Sequence, residues 1–283
     1  MSNDYTEEMV GIRRHLHKRP EEGWTEFETT WFIVQRLRKL GLPVTIGKAN
    51  ICESEVLGRD PLLVSDAMKR AAAHGVPEEF LKATEGYTGA VARFDTGRPG
   101  PTTAFRSDID CVLVRETGDP KHLPNQLGFA SERPGFMHAC GHDGHTAVGL
   151  GVAHWLVDNK DRLCGKFILI FQPAEEGVRG ARAMAASGMV DHVDYFLGGH
   201  VGGAAKLGEI AVMDGGFLAS TKFDITIEGT PAHAGNSPEL GHSALMAACA
   251  ASLMLQGIPR NSHGETRVSV GKLEAGEGRN VIP

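Results

Sequence analysis

The sequence has no run of apolar residues approaching the roughly 20 that a bilayer-spanning helix requires. It also has no basic run. With a net charge of −6, that argues against nucleic acid or an anionic membrane as the main partner. Paired Cys-x2-Cys spacings are missing too. The five cysteines (Cys52, Cys111, Cys140, Cys164 and Cys249) are scattered and odd in number, which excludes a disulfide framework and a zinc ribbon. The opening stretch MSNDYTEEMVGIRRHLHKR carries charges where a signal peptide needs an apolar core, so the expectation is a reduced, cytoplasmic protein. Internal repeats and low-complexity segments are absent.

What is present suits a globular chain: 283 residues, 41% hydrophobic and 23% charged, enough for one large or two smaller domains. Glu7 to Lys39 reads as helical, with Met9, Ile12 and Leu16 on one stripe and Gly41 closing the segment. Residues 54–85 read as a helical excursion. YTGAVARFDTG (87–97) and PTTAFRSDID (101–110) read as two strands around a Gly-Pro turn. HTAVGLGVAHWLVDN (145–159) reads as a helix with Val148, Val152, Trp155 and Leu156 on one face. KFILIFQ (166–172) and DYFLGGH (194–200) read as strands around a helix at 179–188. Such alternation predicts an α/β fold, a mixed sheet with helices on both faces. After Gly216 the texture changes to strand 220–230, helix 242–257 and strand 266–276, the first part of a smaller α+β domain. The expected boundaries are 1–216 and 217–283.

Polar clusters gather at the ends of the predicted strands: Asp108, Glu175-Glu176 and His200. MHACGHDGHTA (137–147) opens a helix and brings Cys140 and His142 to the same kind of edge, where open α/β sheets place their sites. Each cluster has a plainer meaning. Adjacent glutamates are usually a solvated face, and Asp143 could cap the helix. His138 and His145 are assigned to local hydrogen bonding or packing. Taken together, thiolate, imidazole and carboxylate ligands with a spare carboxylate are what metal-assisted hydrolysis needs. The mixed donors suit zinc, and manganese equally.

MHACGHDGHTA, QPAEEG and the histidine after YFLGG resemble the amidohydrolase branch of the aminoacylase/carboxypeptidase dinuclear metallopeptidases. The resemblance runs from Ile12 to Pro283 and includes RRHLHKRPEEGWTEFET, FRSDID, GTPAHAG and GRNVIP. It implies a catalytic domain with two divalent metal ions, and a lid domain that pairs the chain with itself or a related subunit. By the same resemblance Cys140 bridges two metals, His142 and His200 complete one, and Glu176 serves the other. Glu175 is the general base, and Asp108 supports the centre from behind the ligands. His233 stabilises the oxyanion, and Asn280 lies near the substrate carboxylate. The inserted residues 50–86, with YTGAVARFDTGRPGP, narrow the likeness to members that cleave p-aminobenzoyl-glutamate, a folate breakdown product, into p-aminobenzoate and glutamate.

The chain departs from that pattern at its end, where no residue supplies the family's last metal-binding histidine. The expectation is an incomplete catalytic domain and partial lid, binding one metal well and hydrolysing poorly alone. Three alternatives remain: a hydrolase of another N-acyl amino acid (hippurate-like or an acetylated diamino acid), a non-catalytic subunit completing a partner's site, and a structural zinc protein. The last leaves the spare glutamate without a purpose.

Overall fold

The structure is a computed structural model that describes residues 5–202, 205–212 and 218–283. It falls into two compact units, Met1–Glu209 and Ile210–Pro283. The boundary expected at 216/217 lies outside the described residues. No described helix is long and apolar enough to cross a membrane.

The first unit runs α1 (Thr6–Lys18), α2 (Phe27–Lys39), β1 (Val44–Ile46), α3 (Pro61–Ala73), α4 (Glu78–Ala83), β2 (Ala90–Asp95) and β3 (Thr102–Asp108). It continues with a short turn of helix, α5 (Leu123–Gln126), then α6 (His142–Asp158), β4 (Lys166–Gln172), α7 (Ala181–Ala185) and β5 (Tyr195–Gly198). The helical excursion at 54–85 is thus chiefly α3 and α4. Asp60 caps α3 by accepting the Leu62 N–H, and Pro61 takes the first helical position, where its missing donor costs nothing.

The five strands form a mixed sheet in the order β1-β2-β4-β3-β5. The strands expected to flank a Gly-Pro turn, β2 and β3, are not neighbours. β4 inserts between them, antiparallel to β2 and parallel to β3. β4 takes the central place because KFILIFQ is its apolar run, and a strand buried between two others is apolar throughout. Among the described residues β5 pairs with β3 alone, and Tyr195, Phe196 and Leu197 are each more than half exposed.

α6 lies on β3 and β4, and α1 packs on α6. The apolar face read from the sequence is largely the outer one: Val148 and Trp155 are exposed, and of the four residues Leu156 alone is fully buried. The buried face carries Ala147, Gly149, Leu150, Gly151 and Ala153 instead. A Cβ on Gly149 would stand 2.5 Å from Ser107 Oγ and 2.9 Å from the Phe171 ring. Small residues let the helix sit close on the sheet, and backbone proximity outweighs side-chain size in choosing the face.

In the second unit β6 (Ala232–His233) pairs antiparallel with β7 (Val281–Ile282), and α8 (Ala244–Gln256) is capped by Ser243, whose hydroxyl accepts the Met246 N–H. The strands expected at 220–230 and 266–276 are not formed among the described residues. Their apolar alternation is real, but a strand is held by a hydrogen-bonded neighbour, and among the described residues the pairing of these segments amounts to the single bridge of Thr230 to His242. Phe223 and Ile225 stay exposed.

Candidate metal centre

β3, β4 and β5 are parallel, so their carboxyl ends share one edge of the sheet. Asp108 to Asp110, Glu175-Glu176 and His200 follow those ends. The N-terminus of α6 arrives there as well. Gly141, with φ +90°, opens the helix; a Cβ on it would lie 2.6 Å from Val201. Only glycine fits this turn, which sets Cys140 and His142 on the same edge.

Cys140 Sγ lies 3.3 Å from His200 Nε2. His200 donates its Nδ1 proton to the Val201 carbonyl at 2.8 Å, leaving Nε2 as a lone pair. His142 is fully buried, and its Nδ1 faces Asp110 Oδ1 at 3.1 Å, which places the proton on that nitrogen. In the neutral ring, the form that binds a metal, His142 Nε2 presents a lone pair 3.7 Å from Asp108 Oδ1 and 3.8 Å from both Glu175 Oε2 and Glu176 Oε1. Both atoms, His142 Nε2 and Glu176 Oε1, are buried and have no hydrogen-bond partner among the described residues. Acceptors facing acceptors without a donor are costly; a cation between them removes the conflict.

Ligand atoms of Cys140, His142 and His200 lie within 4.8 Å of one another, as do those of His142, Glu175 and Glu176. Sulfur, nitrogen and oxygen donors of this kind suit a first-row divalent metal. The residues present therefore fit the metal their chemistry implies.

The electrostatics agree. Burial pushes the Cys140 thiol up to about 12, and the charges of Glu176, Glu175 and Asp108 add to it. Burial also raises Glu175, partly offset by His142. Burial works to lower His142, but Asp110 and Asp108 outweigh it and raise it.

Asp108 faces other groups: its Oδ1 accepts from the Nδ1 of His145, and its Oδ2 forms an ion pair with Arg106 Nη1 at 2.7 Å without a hydrogen bond among the described residues. His145 uses both nitrogens, since Nε2 accepts the Val201 N–H at 2.9 Å. It therefore has no lone pair for a metal, although its ligand atom lies near Asp108 and His142. His138 is buried with neither ring nitrogen paired, and burial lowers it to about 4. Asp143 is not the N-cap residue of α6, but its Oδ1 accepts the Gly144 N–H of the first turn at 2.8 Å. Its Oδ2 pairs with His17 Nδ1 at 2.8 Å and Arg13 Nε at 3.3 Å.

Two carboxylates do not stand out in the sequence. Asp110 holds His142 and also accepts the Glu176 N–H at 2.9 Å. Glu26 is fully buried; burial and the charge of Asp110 raise it to about 8. The alternation Asp-x-Asp in FRSDID is the available signal for Asp110. For Glu26 there is none beyond its place in the N-terminal motif.

His233 and Asn280 belong to the second unit, at one end of its two-stranded ladder, where the Asn280 carbonyl accepts the Ala234 N–H at 2.9 Å. His233 Nδ1 accepts the N–H groups of Gly235 and Asn236, so its proton sits on Nε2.

The sequence pattern of peptidase family M20/M25/M40 matches residues 104–269. The chain is 50% identical over 277 residues to a homolog of a p-aminobenzoyl-glutamate hydrolase subunit from Haemophilus influenzae, covering 98% of this chain and 66% of that protein. It is 49% identical over 278 residues to the indole-3-acetyl-aspartic acid hydrolase of Enterobacter agglomerans, covering 98% and 64%. The solved structure of an aminobenzoyl-glutamate utilization protein from Klebsiella pneumoniae matches with a TM-score of 0.67 and 38% identity, over 99% of this chain and 64% of that one. The chain thus spans just under two thirds of the length of these relatives.

Proposed function

Because the chain belongs to peptidase family M20/M25/M40, we propose that it is a metal-dependent amidohydrolase that splits the amide of an N-acyl amino acid. The observation that carries this reading is the unpartnered His142 Nε2 facing Glu175 and Glu176 beside Cys140 and His200. Cys140, His142 and His200 would hold one ion; Cys140 and Glu176 would hold part of the shell of a second. Zinc and manganese both suit these donors. Bound there, such ions lower the pKa of water to about 7 and polarise a carbonyl.

The protein's own groups do the rest. Glu175, raised by burial, takes a proton from the attacking water on its carboxylate and returns it to the leaving amine nitrogen. Glu176 and His142 are held for metal binding by Asp110, and Asp108 orients His145 and Arg106 behind them. His233 is suited to donate its Nε2 proton to the oxyanion, and Asn280 to hold the substrate carboxylate. In this reading a second protein chain, identical or related, brings those two residues to the site.

The substrate we favour is p-aminobenzoyl-glutamate, which places the chain in cytoplasmic breakdown of folate-derived amides. The names of the Haemophilus and Klebsiella relatives support it. A second reading, indole-3-acetyl-aspartate, is favoured by the almost equal identity to the Enterobacter enzyme. Both are aromatic acyl groups on an acidic amino acid. The test is release of p-aminobenzoate, indoleacetate and benzoate from p-aminobenzoyl-glutamate, indole-3-acetyl-aspartate and hippurate, by wild type and Glu175→Gln, with zinc or manganese added. Slow turnover that vanishes in the variant is expected. Absence of turnover by fully metal-loaded wild type, or equal rates in the variant, would sink the reading.

A further inference from the structure

The stretch RRHLHKRPEEGWTEFET plays no part in the chemistry above, yet one of its carboxylates reaches the backbone of the site. Glu26 stands at the N-terminal boundary of α2, where an acidic side chain would ordinarily cap its own helix. It makes no such cap. Fully buried, it turns away: Oε1 accepts the Ala174 N–H at 2.8 Å, 148 residues on, and Oε2 accepts the Thr88 hydroxyl at 2.6 Å.

Ala174 immediately precedes Glu175. It is buried and has φ +49°, a left-handed conformation that a Cβ disfavours. Its carbonyl is held from the other side by the N–H groups of Arg179 at 3.2 Å and Gly180 at 2.8 Å. Gly23, in the same N-terminal stretch, leaves room for this turn; a Cβ there would stand 2.8 Å from Ala174 Cα. A strained residue persists only where its surroundings over-determine it. Here part of those surroundings, Glu26 on the N–H and Gly23 against the Cα, comes from the N-terminal segment.

We propose that Glu26 is a positioning residue that holds Ala174 left-handed and so aims the Glu175 and Glu176 carboxylates into the site. The consequence for turnover rests on the hydrolase reading; the contact itself does not. The role requires an acceptor at the right reach, not a charge. Glutamine offers a carbonyl to Ala174 at the same length and an amide N–H to Thr88. Aspartate keeps the charge but falls one methylene short.

The experiment compares wild type, Glu26→Gln and Glu26→Asp in the full chain by two measurements. The first is hydrogen exchange at the Ala174 amide in metal-free protein. Glutamine should keep its protection within about threefold and aspartate should lose about 100-fold. The second is steady-state hydrolysis with metal added. Glutamine should keep kcat within about fivefold, while aspartate lowers it about 100-fold with KM little changed, as expected for misplacement of a catalytic group. Adding Ala174→Gly to Glu26→Asp should recover part of the loss, because glycine adopts a positive φ freely.

Three results would overturn the proposal: full protection and kcat in the aspartate protein, lower thermal stability with unchanged kcat, or a glutamine protein as impaired as the aspartate one. Loss of Ala174 protection in Glu26→Gln decides against it whether or not the aspartate variant folds. If wild type cleaves none of the amides, the hydrolase reading fails, and the exchange comparison still judges the contact.

Discussion

Asp110 and His142 meet in the floor of the site, Oδ1 to Nδ1 at 3.1 Å, with neither side chain exposed to solvent. The other oxygen of Asp110 accepts the Glu176 N–H, so one carboxylate sets two groups that face the same point. Asparagine has a single acceptor and cannot serve both. Asp110→Asn should therefore weaken metal binding by about 10- to 100-fold, the usual effect of losing a residue that orients a ligand. Competition against a chromogenic chelator measures this, and unchanged affinity would count against the role assigned to Asp110.

Metal binding should expel a proton from Cys140. Burial and the neighbouring carboxylates push the thiol up to about 12, which favours the protonated form at a pH of about 8, yet the thiolate is the form that binds. Apparent affinity should then rise by up to about tenfold per pH unit through that one group. Calorimetry in buffers of different ionisation enthalpy reads the released proton directly. Cys140→Ser should lower the count, and a buffer-independent heat for wild type would refute the expectation.

His17 ties α1 to the start of α6. It is buried between Asp143 at 2.8 Å and Glu116 at 3.1 Å. Burial works to lower its pKa, but the two carboxylates prevail and raise it above 6.5. The folded protein thus keeps a proton that the unfolded chain has already released. The stability from this pairing is present in full below pH 6.5 and lost as pH rises through the higher folded value. His17→Gln should cost about 3–5 kcal/mol at a pH of about 6, where it breaks a buried ion pair, and clearly less at about pH 9. Urea unfolding at both pH values tests it; an equal loss at each would show that charge is not what matters.

Gly149 fixes how closely α6 approaches the sheet. An added methyl would meet Ser107 Oγ at 2.5 Å and the Phe171 ring at 2.9 Å. Gly149→Ala should destabilise the protein by about 1–3 kcal/mol, as overpacking does. Lifting the helix should also weaken metal binding, because His142 rides on its first turn. A Tm equal to that of wild type would mean the helix and strand can shift apart without loss.

The sequence by itself determined the α/β character, the main elements of the first unit, and the polar residues grouped at the sheet edge. Cys140, His142, Glu175, Glu176 and His200 were legible because each follows an apolar strand or opens an apolar helix, and those signals act over a few residues. The tertiary structure alone decided the rest. It put β4 between β2 and β3, turned the small-residue face of α6 inward, and left the strand-like segments of the second unit without a ladder. It also decided which of two neighbouring aspartates serves which histidine: Asp108 turns to His145 and Asp110 to His142. Asp110 meets the Glu176 backbone across 66 residues and Glu26 meets Ala174 across 148. Contacts of that separation depend on how the chain closes on itself, which local pattern does not encode.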